Sequence, residues 1–476
     1  MENKSVPFYL AVDQGGHASR ALIFDRHGTL VSSASREIET IRRGEDRVEH
    51  EPEALIDSIA SAIDGALEGF KGGAREMAGA GFATQRSSIV CWDRNSGTAL
   101  SPVISWQDRR AAGWLEQFRG QAREIHEQTG LVLSPHYGAS KLRWCLDHLA
   151  PVRQARQQGR LCCGPLASFL LFRLLRDRPF VADPANASRT LLWDFRKRDW
   201  AQRLLDTFGV PASALPRCVP TRHPYGVLDT RAGLLPVEVC TGDQSAALYA
   251  FGEPRRDTVY VNAGTGAFLQ RVTGKVPLYS PQLLSSIVWQ DGAEAEYALE
   301  GTVNGAGSAL RHVGGELAIP NDQLDALVAR ALAEVREPPL FLNGISGLGS
   351  PYWRADFRSR FIGGGSALEK LAAVAESIVF LIQANLDEMS RCAGAAGGII
   401  ISGGLATVDG LCRRLADLSG IPVGRPEVEE ATARGLAWLL AGRPPAWSRE
   451  LRSARFAPAA NPALTTRYQH WLQEMG

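Results

Sequence analysis

Twice along this chain a short apolar run stops at a glycine-bearing polar turn and resumes as a second apolar run, and that repeat limits the folds open to it. Residues 8–12 are halted by Asp13-Gln14-Gly15-Gly16, residues 20–24 resume, and Asp25-Arg26-His27-Gly28 turns into a third run at 29–33. Short apolar runs bounded by turn residues are strands joined in hairpins. Residues 258–262 repeat the pattern: Ala263-Gly264-Thr265-Gly266 halts them and 267–271 resume. A dinucleotide-binding fold sends its first strand into a helical crossover. Two hairpin openings argue against that fold and for a coarse internal duplication.

Between and after these openings the elements alternate. Ile56, Ile59, Ile63 and Leu67 recur at helical spacing and predict a helix over 52–69. Strands are expected at 77–82 and 89–92, and a mainly helical stretch at 108–175. A buried strand near Val237 leads into Gly242-Asp243-Gln244 and a helix start. Further on, a helix at 368–390, a strand at 398–402 ending in Gly403-Gly404, and a helix at 429–440 closed by Gly442 and Pro444 are predicted. The last stretch, with Pro445, Pro458 and Pro462, should pack on the surface. A chain of 476 residues is too long for one conventional core, so two domains are expected, at 1–250 and 251–445, with 446–476 as an extension.

Charge and cysteine content remove several function classes. The 52 basic and 51 acidic side chains leave a formal charge of +1, and no basic run offers a nucleic-acid surface. A phosphorylated metabolite has to be held locally, by loops and helix ends. The eight cysteines form no CxxC pair, which predicts free buried thiols in a reducing compartment. MENKSVPFYL is not a basic region followed by a sustained apolar run, and the apolar stretch at 376–383 is too short to span a bilayer. The expectation is a cytoplasmic protein with no membrane and no nucleic-acid partner, forming a homo-oligomer, a dimer.

The turns carry the candidate chemistry. In Asp13-Gln14-Gly15-Gly16-His17-Ala18-Ser19-Arg20 a carboxylate at a strand end can orient hydrated Mg2+, glycines let backbone N–H groups approach phosphate, and Arg20 adds positive charge. A polar hairpin with a structural aspartate is the alternative. Gly264-Thr265-Gly266 makes the same offer in the other half, and Ser402-Gly403-Gly404 supplies a small-residue ledge for a nucleotide. Asp243, just beyond a hydrophobic strand, is the best general base for a hydroxyl attacking phosphate, with helix N-capping as the alternative. Gln85-Arg86-Ser87 and Trp106-Gln107-Asp108-Arg109-Arg110 are polar candidates for holding an acceptor. The nine histidines are scattered without HExxH spacing or a close Cys/His grouping, so a fixed zinc site has little support.

Taken in order, LAVDQGGHASRALIFD, GFATQRSSIVCWD, SWQDRR, NASRTLLWDF, GDQSAAL, NAGTGAFL, ALEGTVNGAGSAL, SGLGSPYW, ISGGLATVDG and RPEVEEATARGLAWLLAG resemble the FGGY carbohydrate kinase family, its glycerol kinases more than its xylulose kinases. The resemblance spans roughly residues 8–442. It implies an α/β protein of two ribonuclease-H-like (actin-like) domains with the active site in the cleft between them, the acceptor and base in the N-terminal domain and the nucleotide in the C-terminal one. The expected chemistry is transfer of phosphate from ATP, with Mg2+, to a hydroxyl of a small polyol or sugar, releasing ADP. Asp13 would help place metal and phosphate, and Asp243 would deprotonate the acceptor. Gly15, Gly16, His17, Ala18, Arg20, Gly264, Thr265, Gly266, Gly307, Gly403, Gly404 and Asp409 would contact the nucleotide. Arg86, Ser87, Trp106, His136, Tyr137, Asp243 and Gln244 would form the acceptor site.

Two departures bear on the acceptor. Where glycerol kinases typically have Arg-Glu this chain has Arg86-Ser87, and where they have a substrate tyrosine in Pro-Tyr-Phe-Ser it has Pro135-His136-Tyr137-Gly138. A site built around substrate hydroxyls loses discrimination when its polar partners disappear. Glycerol is the leading single acceptor; a four- or five-carbon polyol or ketose (erythritol, ribitol, ribulose, xylulose) is the alternative, followed by a catalytically weak nucleotide-binding homologue. The nucleotide side departs less: Gly16-His17-Ala18 stands where Thr-Thr-Ser is common, and Val408-Asp409 where Asn-Asn is. Backbone contacts can survive both changes. The acidic run Glu427, Glu429 and Glu430 is explained as well by a solvated helix start.

Overall fold

The computed structural model describes residues 7–72, 76–449 and 451–476; the first residues of the chain, where no leader was expected, lie outside them. The chain divides into two compact units, Met1–Glu253 with Ser286–Tyr297 and Glu429–Glu450, and Pro254–Ser285 with Ala298–Val428 and Leu451–Gly476.

In the first unit the opening hairpin forms as expected. The strand Phe8–Gln14 pairs antiparallel with Ala18–Phe24, which pairs antiparallel with Leu30–Glu37. On its other side Phe8–Gln14 runs parallel to Met77–Thr84, which runs parallel to Gly233–Gly242. The helix Pro52–Gly69 begins with proline at its first turn, where the missing N–H costs nothing, and buries Leu55, Ile59, Ala62, Ile63 and Ala66. Burying each Leu or Ile contributes about 1.5–3 kcal/mol, which outweighs the weak propensity of its β-branched residues. Ser19 and Ser58 meet across this contact at 2.8 Å.

A second, smaller sheet orders Ile41–Arg43, Arg47–His50, Val103–Ile104, Ile89–Asp93 and Leu161–Pro165. The expected mainly helical 108–175 is present, interrupted by this sheet's last strand. Five residues of unbroken apolar or small character carry no period that separates a buried strand from a helix turn. Cys163 there lies opposite Cys91. All eight cysteines are free thiols, Cys218 and Cys392 half-buried and the others buried.

The second unit repeats the order of the first. Thr258–Ala263 pairs antiparallel with Ala267–Gly274 and parallel with Gly398–Ser402, which runs parallel to Val423–Pro426. The helix Ala367–Ala393 opens with a capping box between Ser366 and Glu369 and is buried along most of its length. Its Glu376, 1% exposed, is matched by Arg414 at 3.1 Å and by a two-pronged Arg467 at 2.7 and 2.9 Å. Burial of that carboxylate is tolerable only with such pairing. Arg467 belongs to the closing helix Pro462–Met475, whose Trp471 is buried in the core, and Ser453–Phe456 adds an edge strand. The C-terminal stretch is therefore built into this unit's sheet and core instead of only covering its surface. Among the described residues no helix is long and apolar enough to cross a membrane.

Candidate active site

Register places the first unit's candidates side by side. Asp13 lies opposite Ala83, and Gly242 lies opposite Thr84, in neighbouring parallel strands. The carboxyl ends of three parallel strands thus deliver Asp13, Gln85-Arg86-Ser87 and Asp243 to one edge of the sheet, the edge where open α/β sheets bind ligands. Asp13 is 7% exposed. Its carboxyl is pushed up to about 7, first by burial and then by the charge of Asp243, with Arg20 opposing. Arg20 sits 3.8 Å from Asp13 and donates to Glu430 at 2.9 Å.

Asp243 is the first residue of the helix Asp243–Leu248, with Gly242 at the cap position. Its Oδ1 accepts the N–H of Gln244 at 2.7 Å, and the Arg86 guanidinium stands 3.8 Å away. A Cβ on residue 242 would lie 2.5 Å from the Arg86 side chain, so glycine there leaves the room through which Arg86 reaches Asp243.

The acceptor candidates form a connected set. Ser88 Oγ donates to Gln85 Oε1 at 2.9 Å and accepts the Trp106 N–H at 3.0 Å. His136 Nδ1 lies 3.1 Å from the Trp106 carbonyl, so that nitrogen carries the proton. Burial holds the imidazole down at about 4, hence neutral at pH 7, with Nε2 an acceptor only. The rings of Trp106 and His136 are 6.3 Å apart. Gln85 reaches back to Gln14 Oε1 at 3.3 Å and the Gly15 carbonyl at 3.2 Å, tying this set to the first turn. Tyr137, the neighbour of His136, is 6% exposed.

Part of the second acceptor candidate is consumed structurally. Asp108 is fully buried and accepts the Val48 N–H at 2.7 Å. The Arg110 side chain is buried: it bonds Asp108 at 2.7 Å and Glu49 at 2.6 Å, and stacks 4.5 Å from the Trp144 ring centroid. Gln107 is held by Arg42 at 2.7 Å. An arginine beside acidic and aromatic partners distant in sequence cannot be told from a solvated one by its immediate neighbours.

In the second unit the same strand-end logic holds. Asn262 lies opposite Ser402, so Gly264-Thr265-Gly266 and Gly403-Gly404 follow adjacent parallel strands. The turn is braced by its own backbone: Gly264 N–H to the Gly266 carbonyl at 2.8 Å, Gly307 N–H to the Gly264 carbonyl at 2.9 Å, and Ser308 N–H to the Thr265 carbonyl at 3.0 Å. Arg311 donates to Thr265 Oγ1 at 3.2 Å. Gly403 has φ +89°, and a Cβ there would lie 2.5 Å from the Ala263 carbonyl, so only glycine fits. Asp409 begins the helix Asp409–Ser419 and is paired with Arg425 at 2.7 Å.

Three side chains at these sites were not singled out in the sequence. Gln14, Lys141 and Arg311 sit in or beside the candidate segments, yet only Lys141 left a signal. Gly138, Lys141, Leu142 and Cys145 follow i, i+3, i+4, i+7 spacing and are all buried, which puts a lone cation on an apolar helix face. Glu430, grouped with a solvated helix start, precedes the helix Ala431–Leu440 with φ +53° and turns its carboxylate to Arg20.

Strand sets of shared order in the two units, each with ligand-type turns at parallel strand ends, define the two-domain α/β fold of the actin and ribonuclease-H-like class. The chain belongs to the FGGY family of carbohydrate kinases: the family's N-terminal domain matches residues 8–250 and its C-terminal domain residues 259–442. It is an ATP-dependent carbohydrate or polyol kinase. Glycerol kinase of Allorhizobium ampelinum is 33% identical over 451 residues, covering 92% of this chain and 91% of that one. Glycerol kinase of Methylobacterium nodulans is 35% identical over 442 residues, covering 90% and 88%. Among solved structures, Plasmodium falciparum glycerol kinase with ADP superposes with a TM-score of 0.88 at 22% identity, over 98% of this chain and 97% of that one. A xylulose kinase from Brucella ovis follows with 0.85 at 21%, over 98% of each.

Proposed function

We propose that this kinase transfers the terminal phosphoryl group of ATP to a primary hydroxyl of a small polyol, glycerol first among them, with Asp243 as general base. The observation that carries it is the convergence of Asp13, Gln85-Arg86-Ser87 and Asp243 at neighbouring parallel strand ends. Asp243 accepts the hydroxyl proton as the oxygen attacks, held in orientation by the Gln244 N–H and the Arg86 charge. Arg86, Trp106, His136, Tyr137 and Gln244 hold the acceptor, with Ser87 leaving space where a carboxylate would stand. Residues 1–250 supply acceptor and base, and residues 251–445 the nucleotide.

Gly264, Thr265, Gly266 and Gly307 offer a backbone cradle to phosphate, Gly403, Gly404 and Asp409 a ledge beside the nucleotide, and Gly15, Gly16, His17, Ala18 and Arg20 a second phosphate turn. A divalent cation suits Asp13. Its buried carboxylate is disfavoured as an anion by burial and by Asp243, a cost that Mg2+ offsets. Among the described residues no group of three or more His, Cys, Asp or Glu can hold a metal, so Mg2+ would be held chiefly through water and phosphate oxygens. When bound it neutralises charge on the transferring phosphate.

Ser87 and His136 favour a second reading, a four- or five-carbon acceptor. A neutral imidazole with Nδ1 committed to Trp106 presents an acceptor only, whereas a phenol both donates and accepts. ADP release should be followed for glycerol, erythritol, dihydroxyacetone, ribulose, xylulose and ribitol, with products checked by mass. Measurable glycerol phosphorylation supports the first reading. No product from glycerol together with efficient turnover of a longer acceptor replaces it with the second, and no product from any acceptor overturns both.

A further inference from the structure

Lys141 stands apart from every residue given a role above. It lies in the helix Gly138–His148, is 1% exposed, and is among the largest fully buried side chains of the molecule. Its ammonium donates to the Ser87 carbonyl at 3.1 Å and to the His136 carbonyl at 2.7 Å. Those two residues lie 49 positions apart, one in each of two segments proposed for the acceptor. One of them is strained as well: Ser87 has φ +66°, a left-handed conformation that a non-glycine residue holds only when its surroundings fix it.

The bonds close a circuit. From Lys141 it runs through the Ser87 carbonyl along the chain to Ser88, whose Oγ accepts from the Trp106 N–H. The Trp106 carbonyl accepts from His136, and the His136 carbonyl accepts from Lys141. We propose that Lys141 is a positioning residue of the acceptor pocket, clamping the Ser87 and His136 segments at fixed separation so that acceptors of one length are matched to Asp243. This rests on the assignment of those segments to the acceptor. A buried apolar side chain of equal length would fill the same space without the cost of taking a cation out of water. Burial lowers the lysine to about 7, with the Asp108 charge raising it and the Arg110 charge lowering it further, so this cost is present in the folded protein. What the cation adds over an apolar chain is the pair of carbonyl bonds.

The test uses full-length Lys141→Met, Lys141→Arg and Lys141→Gln, with ADP-release kinetics for the best acceptor of the wild type. Lys141→Met removes the donors; Lys141→Arg keeps a charged donor able to reach two carbonyls. The expected result is an acceptor KM raised roughly tenfold or more in Lys141→Met, an ATP KM within about twofold of wild type, and partial recovery in Lys141→Arg. Ser87→Gly, which relieves the left-handed strain, should shrink the Lys141→Met effect when the two are combined. Acceptor and ATP KM rising together, or no change in either, overturns the proposal. So does failure of all three variants to fold, which makes the lysine structural only. A wild type that phosphorylates no acceptor instead overturns the acceptor assignment itself, and the unmodified protein reports that outcome separately.

Discussion

The segments proposed for the acceptor in the first unit and the glycine turns of the second are braced by different groups. Around Ser87, Trp106 and His136 the connections run through side chains: Ser88, Gln85, the His136 ring and the Lys141 ammonium. Around Gly264, Thr265 and Gly307 they run mainly through backbone N–H and carbonyl groups, with Arg311 and Ser308 adding side-chain bonds at Thr265. A backbone cradle survives side-chain replacement as long as glycine remains where only glycine fits. A side-chain network changes its ligand when one member changes. On the site assignment proposed above, changes at Ser87 and His136 should matter more for which hydroxyl compound is used than for ATP.

The largest expected effect lies where the acceptor side meets chemistry. Asp243→Asn keeps size and removes the proton-accepting charge, so kcat should fall about 10²–10⁴-fold with an unchanged melting temperature. Turnover near wild type in the folded variant would exclude Asp243 as base. On the nucleotide side, Gly403→Ala forces a side chain into φ +89° and toward the Ala263 carbonyl. It should lower stability by about 1–3 kcal/mol and raise the ATP KM with little change for the acceptor. An acceptor KM shifted as much as that of ATP would blur the division between the two regions.

A pH effect belongs to the acceptor side. His136 falls from 6.5 to about 4 on folding because burial disfavours its cation. Between those values the unfolded chain binds the proton and the folded chain does not. Stability is thus lost as pH falls from 6.5 toward 4, by up to about 1.4 kcal/mol per pH unit from this group. Denaturant titrations of wild type and His136→Tyr at pH 7 and 5 should differ by that slope; parallel behaviour would mean the imidazole is not buried as described. The smallest effect is expected at the half-exposed pair between Arg20 and Glu430. Glu430→Gln should change the ATP KM by an amount equivalent to about 0.2–1 kcal/mol, and less at high salt.

Both hairpins, the helix Pro52–Gly69 and the strand Gly398–Ser402 were legible in the sequence because apolar period and turn residues agreed there. Leu161–Pro165 was not, since its side chains carry no period. Asp13 and Asp243 stand at the ends of apolar strands, where the local sequence placed them. Arg110, Glu430 and Lys141 each have a partner far along the chain, 61, 410 and 54 positions away, at Glu49, Arg20 and Ser87. Such pairings depend on tertiary register, which no local pattern encodes. Lys141 alone could have been suspected, as a cation on an apolar helix face.

Restoring the two departures together tests the division between side-chain and backbone recognition most directly. In Ser87→Glu combined with His136→Tyr, kcat/KM should be measured for glycerol and for a five-carbon acceptor, alongside the KM of ATP. Glycerol should gain on the longer acceptor by roughly tenfold or more, as expected when complementary polar groups return to a hydroxyl site, while the ATP KM stays within about twofold. An unchanged acceptor ranking, or an ATP KM that moves in step with it, would contradict the account.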